Sequence, residues 1–264
     1  IILFSGVFFS SIACAGIVLT EDNGGVPETH LYQDGAYYNI RFGQLESKYD
    51  FAKDRCLSAN YEQKVYFEGP CSDMIEGSKA AMEAFFEQRM ASMSKQERQM
   101  MDQLAKSQSD ATETLKPSIK NMGSGKYLGY KIDKYQIYVG EEKLTELWVS
   151  KPLDEQISKE FDLSKFKNWS DKFADEVAAL QKKYIGFEQD DPVIEASKEL
   201  MGKGFVMRNI SWGAHGVVDA EPTVLKGLEK VEILNVDTSP FSIPDNFRKA
   251  KSWKELMMAD MYGE

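Results

Sequence analysis

The chain has 264 residues, 42% of them apolar, enough to bury one large core or two small ones. Its 42 acidic residues outnumber 32 basic ones, giving a formal charge of −10. Lys and Arg nowhere form the dense stripe that a phosphate backbone requires, so a nucleic-acid partner is excluded as the working reading.

The first 16 residues, IILFSGVFFSSIACAG, carry no charge and end in small side chains. An apolar run of ~7–15 residues suits a secretory signal, and is shorter than the ~20 residues of a membrane-spanning helix. Ala13-Cys14-Ala15 fits the A-x-A cleavage pattern, so residues 1–15 are expected to be a signal peptide and Gly16 the mature N-terminus. The alternative is lipidation at Cys14, as in a bacterial lipoprotein, with Ser11 standing where such sites usually carry Leu. No other stretch approaches spanning length. The expected location is therefore periplasmic or secreted, or lipid-anchored, without a transmembrane span in the mature chain.

Either processing route leaves Cys56 and Cys71 as an even pair. The segment between them reads as strand, turn, strand, and a disulfide is expected in an oxidising compartment, with two buried thiols as the alternative. A zinc site is disfavoured because the chain has no CxxC and only His30 and His215 as histidines, so no metal and no cofactor are expected.

In chain order, EDNGG at 21–25 lacks the spacing of a calcium loop and reads as a turn. THLYQDGAYYNIRF, residues 29–42, places Asp34-Gly35 between two β-prone runs, the strongest hairpin signal present. A second pair of strands is expected at about 48–58 and 63–68 around Asn60. The period then becomes helical from a Ser72 or Asp73 cap, with Met82, Phe85, Phe86, Met90 and Met93 on one stripe. Ser94 and Glu97 form a capping box that breaks this helix and starts a second one, to about Lys106.

β pattern resumes in GYKIDKYQIYVGEEKLTELWVS, residues 129–150. Tyr130 and Ile132 share one face, Tyr135, Ile137 and Val139 another, and the parity change at Asp133-Lys134 predicts a bulge. Trp148 lies on the next strand, which Pro152 ends. Helical spacing returns from Asn168 through Trp169, Phe173, Val177, Leu180 and Tyr184, and Asp191-Pro192 starts a helix that closes near Gly202 or Gly204. The last third reads as β from 204 to 212 and from 223 to 244. Strands and helices in blocks, with no repeat and no dividing linker, predict a single α+β domain over 16–264 with helical insertions at about 72–107 and 168–203.

Three segments resemble a domain of unknown function found in bacterial envelope proteins. They are Gly129, Tyr130, Lys131, Lys134 and Tyr135; then Glu146, Trp148 and Val149; then Phe241, Ile243 and Pro244. That family in turn resembles LolA-like lipoprotein carriers. The resemblance implies a curved antiparallel half-barrel with helices packed on its concave face around an apolar cavity, and it brings no catalytic residues. The acidic, Met-rich helical insertion departs from the pattern. Met82, Phe85, Phe86, Met90 and Met93 facing Tyr130, Tyr135, Ile137 and Trp148 would form a ligand wall, since thioethers adapt to acyl chains. The competing reading is ordinary sheet interior.

Enzymatic readings are weaker. GSGK at 123–126 lacks the spacing of a phosphate loop, His30 and His215 have no Ser or Cys motif beside them, and Asp190-Asp191 sits at a helix start. Two functions follow as expectations: a non-enzymatic exported protein binding a lipid or other hydrophobic molecule, or a structural protein of the envelope with a closed core and a protein partner.

Overall fold

A computed structural model describes residues 15–23, 26–100, 116–185, 192–213 and 221–262. The expected signal peptide, except Ala15, lies outside the described residues, as do Asp190-Asp191, His215 and the end of the helix beginning at 95. Among the described helices none is long and apolar enough to cross a membrane.

The fold is α+β. Strands β1 (Ile17–Asn23), β2 (Val26–Gln33), β3 (Ala36–Arg41), β4 (Gln44–Asp50), β5 (Arg55–Asn60) and β6 (Val65–Gly69) form one antiparallel meander. Helix α1 (Cys71–Ser92) follows, then a second meander of β7 (Pro117–Tyr127), β8 (Tyr130–Val139) and β9 (Glu142–Ser150). Helices α2 (Lys151–Glu160), α3 (Leu163–Ile185) and α4 (Pro192–Met201) lead to β10 (Phe205–Ser211) and β11 (Thr223–Ile233). A two-residue strand β12 (Arg248–Lys249) and helix α5 (Trp253–Tyr262) close the chain. The twelve strands among the described residues join one sheet in the order β12-β6-β5-β4-β3-β2-β1-β11-β10-β9-β8-β7, antiparallel except where β12 meets β6. Because β1 pairs with both β2 and β11, the two meanders form one continuous sheet.

Local chemistry accounts for several elements. Asp34 and Gly35 both take positive φ, 53° and 78°, as a tight hairpin between right-twisted strands demands. Ser94 and Glu97 exchange the two bonds of a capping box, Glu97 N to Ser94 Oγ and Ser94 N to Glu97 Oε2. Cys56 and Cys71 are joined, with an S–S distance of 2.01 Å across a separation of 15 residues.

Period-two alternation separates the sheet's faces. On one, Ile17, Leu19 and Tyr32 pack with Leu153 and Ile157 of α2, Phe161, and Leu163 of α3. On the other, Leu31, Tyr38, Ile40 and Leu45 meet Val236 and Phe241 of the irregular segment after β11. Gln33 holds that segment like a strand neighbour, its amide donating to Val236 O and accepting from Val236 N.

Several sequence expectations change. The stretch 48–58 is two strands, because Asp50 accepts hydrogen bonds from Lys53 N and Nζ and turns the chain, with Asp54 at φ 48°. The bulge expected in β8 lies in its partner: Met122 and Gly123 of β7 stand opposite Lys134, with Gly123 at φ 96°. Glu21 to Asn23 belong to β1 rather than to a turn. Residues 151–160 form α2, with Ser150 Oγ accepting Leu153 N as its cap. Helix α3 begins at Leu163, five residues before Asn168. The β pattern of 223–244 stops at Ile233, and the polar C-terminal segment ends in α5.

Helix α1 buries Cys71, Met74, Ser78 and Ala81, packs on α5 and α3, and meets the sheet chiefly at β5. Gly77 permits the α1–α5 approach, since a Cβ there would stand 2.6 Å from Trp253 Cβ. Trp253 Nε1 donates to the Ser78 hydroxyl across the same contact. Helices α1 and α3 run in the same direction, as shown by Trp169 Nε1 donating to Cys71 O, Lys79 paired with Glu176, and Lys183 paired with Glu83.

Candidate functional site

The site begins with cross-strand pairs on the helix-covered face. Pairing of Tyr32 with Tyr37, and of His30 with Asn39, puts three ring side chains side by side. Tyr37 stacks on Tyr32 at 5.0 Å and on His30 at 5.9 Å between centroids. Phe166 of α3 sits over Tyr37 and Tyr49, 5.8 Å from each. Offset and edge contacts of this kind add about 0.5–1.5 kcal/mol per pair beyond the area they bury.

Beside this aromatic floor is a cavity of about 410 Å³, within the ~300–1,000 Å³ range of small-molecule sites. Its inner wall is Tyr32, Tyr37, Phe166, Phe205 and Val206, and Ser170, Asp171 and Lys198 of α3 and α4 edge it. The chain can enter β10 close beneath α2 because residue 204 is glycine: a Cβ there would stand 2.8 Å from Lys151 N.

At the inner end, His30 Nε2 lies 3.3 Å from Glu21 Oε1, and Lys226 Nζ lies 3.5 Å from Glu21 Oε2. His30 Nδ1 shares a 2.8 Å hydrogen bond with the Tyr37 hydroxyl. Burial raises the Glu21 carboxyl's pKa, but His30 and the Lys226 ammonium outweigh it and hold the group below its ordinary value, so it is ionised. Burial pushes the Tyr32 and Tyr37 phenols well up, with nearby negative charge adding to the effect, so both stay neutral and keep their hydroxyl protons.

The sequence-predicted wall is not gathered at this cavity. Met82, Phe85, Phe86 and Met90 are half-buried on α1 and Met93 is half-buried just past its end, and Phe86 stacks on Tyr184 of α3 at 5.2 Å. Ile137 is fully buried in the cluster under α4, and half-buried Tyr135 packs against that cluster with Lys203 5.1 Å from its ring. Tyr130 donates to Gln156 Oε1 of α2. Trp148 has Lys134 and Arg208 at 4.1 and 4.8 Å from its ring. None of these nine residues lines the 410 Å³ cavity.

Sequence reasoning read Glu21 as part of a turn, passed over Glu28 and Lys226, and read His30 as structural. One signal was available: Glu28 and His30 are two apart on a strand and so share a face. No protein-family model matches the chain, and no curated protein matches it either.

Proposed function

We propose that this chain is a non-enzymatic, exported protein that holds an apolar or amphiphilic ligand between its sheet and helices α3 and α4. The observation that carries the reading is the 410 Å³ cavity, whose inner wall is aromatic and aliphatic and whose rim carries Lys167, Ser170, Asp171 and Lys198. A lipid or acyl chain would place its tail against Phe166, Phe205 and Val206 and its polar end toward that rim. The half-barrel resemblance agrees with one long-range contact. Tyr127 on β7 donates to Leu228 O on β11, though β8, β9 and β10 lie between them in the sheet. Four strand steps span ~19 Å on a flat sheet, so this bond favours a curled sheet, with α2 against Ile132 on one face and α4 against Ile137, Leu147 and Val149 on the other. The disulfide supports an oxidising compartment and thus export, with cleavage after Ala15 or lipidation of Cys14 as the processing step.

The structural reading of an envelope protein with a protein partner draws on a different feature, the half-buried Met and Phe stripe of α1. Native mass spectrometry of protein purified from its own host separates the two. The carrier reading expects a non-covalent adduct that organic solvent extracts as a lipid or other hydrophobic molecule. A bare mass, together with no uptake of added acyl chains, would leave the interaction protein as the better account.

A further inference from the structure

The buried polar group at the cavity's inner end is not explained by an apolar ligand. Strand register assembles it: Glu21 of β1 pairs with Glu28 of β2, and His30 follows two residues later on the same face. One donor atom from each of the three lies within 4.8 Å of the others. Glu21 and His30 are each only 8% exposed, and Glu21 Oε2 and His30 Nε2 are buried without a hydrogen bond. Buried polar atoms are seldom left so, and here both belong to one cluster.

The geometry has a second feature. His30 Nε2 and Glu21 Oε1 approach to 3.3 Å without hydrogen-bond alignment. That distance is the edge of a tetrahedron whose metal–ligand bonds are ~2.0–2.1 Å, the lengths zinc makes to imidazole and carboxylate. The other ring nitrogen is held by the Tyr37 hydroxyl at 2.8 Å, the kind of outer contact that fixes a ligating imidazole's orientation. With a cation bound, the ring proton lies on Nδ1, facing the Tyr37 hydroxyl, and the Nε2 lone pair is directed at the metal. The cluster already draws a cation, since Lys226 Nζ stands 3.5 Å from Glu21 Oε2. Lys226 also has an alternative contact, the ring of Phe205 at 5.1 Å.

We propose that Glu21, Glu28 and His30 bind one divalent cation of the zinc class, and that the cation displaces the Lys226 ammonium from Glu21. Two carboxylate oxygens and one imidazole nitrogen suit zinc better than calcium or magnesium, which favour all-oxygen sites. Three protein ligands leave a fourth position open, and His30 and Lys226 both line the cavity. The site is independent of whether the cavity holds a ligand.

The test is calorimetric titration of the untagged, chelator-treated full chain with Zn²⁺ in the presence of excess Mg²⁺. One zinc per chain is expected. Glu21→Gln, which keeps the side-chain volume, should weaken binding by more than the ~10–100-fold that loss of an outer contact costs. Lys226→Met should strengthen binding, because it removes the competing ammonium while keeping the apolar stem. Lack of zinc uptake by the wild type, equal affinity in Glu21→Gln, or no gain in Lys226→Met would each overturn the proposal. If Glu21→Gln fails to fold by circular dichroism, the Lys226→Met comparison decides alone.

Discussion

Reducing the Cys56–Cys71 bond should lower the melting temperature by an amount set by the loop it closes. The two residues are 15 apart, and a cross-link of that length removes about 3 kcal/mol of chain entropy from the unfolded state. For a chain of this size each kcal/mol moves Tm by roughly 2–4 °C, so the shift should be roughly 6–12 °C. The bond also has a position. Cys71 is the first residue of α1, its amide donates to Asp54 Oδ1, and its carbonyl accepts from Trp169 of α3. The link thus ties α1 and α3 to the end of the first meander. Both cysteines lie in a cluster with Val65, Phe67, Met74, Trp253 and Leu256. The Cys56→Ala/Cys71→Ala variant also loses two buried sulfurs and should melt at or below the reduced wild type. The assay is thermal unfolding by circular dichroism with and without a thiol reductant, alongside the double variant. Equal melting temperatures for reduced and oxidised protein would refute the reasoning, as would free alkylation of both thiols in the unreduced, unfolded chain.

Two further substitutions test the packing. Gly77→Ala should destabilise the protein by about 1–3 kcal/mol in urea unfolding, although alanine is the better helix former by ~1 kcal/mol, because the new methyl meets α5; a more stable variant would show that α5 does not pack there. Burial raises the Asp50 carboxyl's pKa, but its bonds to Lys53 Nζ and N outweigh that and hold it below the ordinary value. Its contribution is therefore complete above the unfolded pKa of ~3.9 and is lost as pH falls through the lower folded value. Asp50→Asn should be less stable than wild type at pH 7, with the gap closing on acidification, and a gap independent of pH would contradict this.

What could be read from the sequence was what neighbouring residues decide. Asp34-Gly35, the Ser94–Glu97 box and the two cysteines each act over a few residues or one short loop, and the structure contains all three features. Helix α2 was hidden by Pro152, which ends a strand but is equally at home in a helix's first turn. The Ser150 cap and the spacing of Leu153 and Ile157 were the compensating signals. The stripe on α1 was visible as a stripe, but periodicity says nothing about what covers it, and α3 meets Phe86 through Tyr184. The cavity was not legible at all. His30 and Phe205 are brought into one sheet by the pairing of β1 with β11, strands far apart in sequence, and Phe166 is laid over them by α3.

The central claim is that the space under α3 and α4 receives an acyl chain, and a plug tests it most directly. Ser170 is exposed on α3 and lines the cavity, so Ser170→Trp can fill the opening with little effect on the core. Fluorescence titration with a hydrophobic dye, displaced by fatty acids of increasing length, should show saturable binding to the wild type and its loss in Ser170→Trp at an unchanged melting temperature. No saturable binding by the wild type, or equal binding by the plugged variant, would contradict the claim.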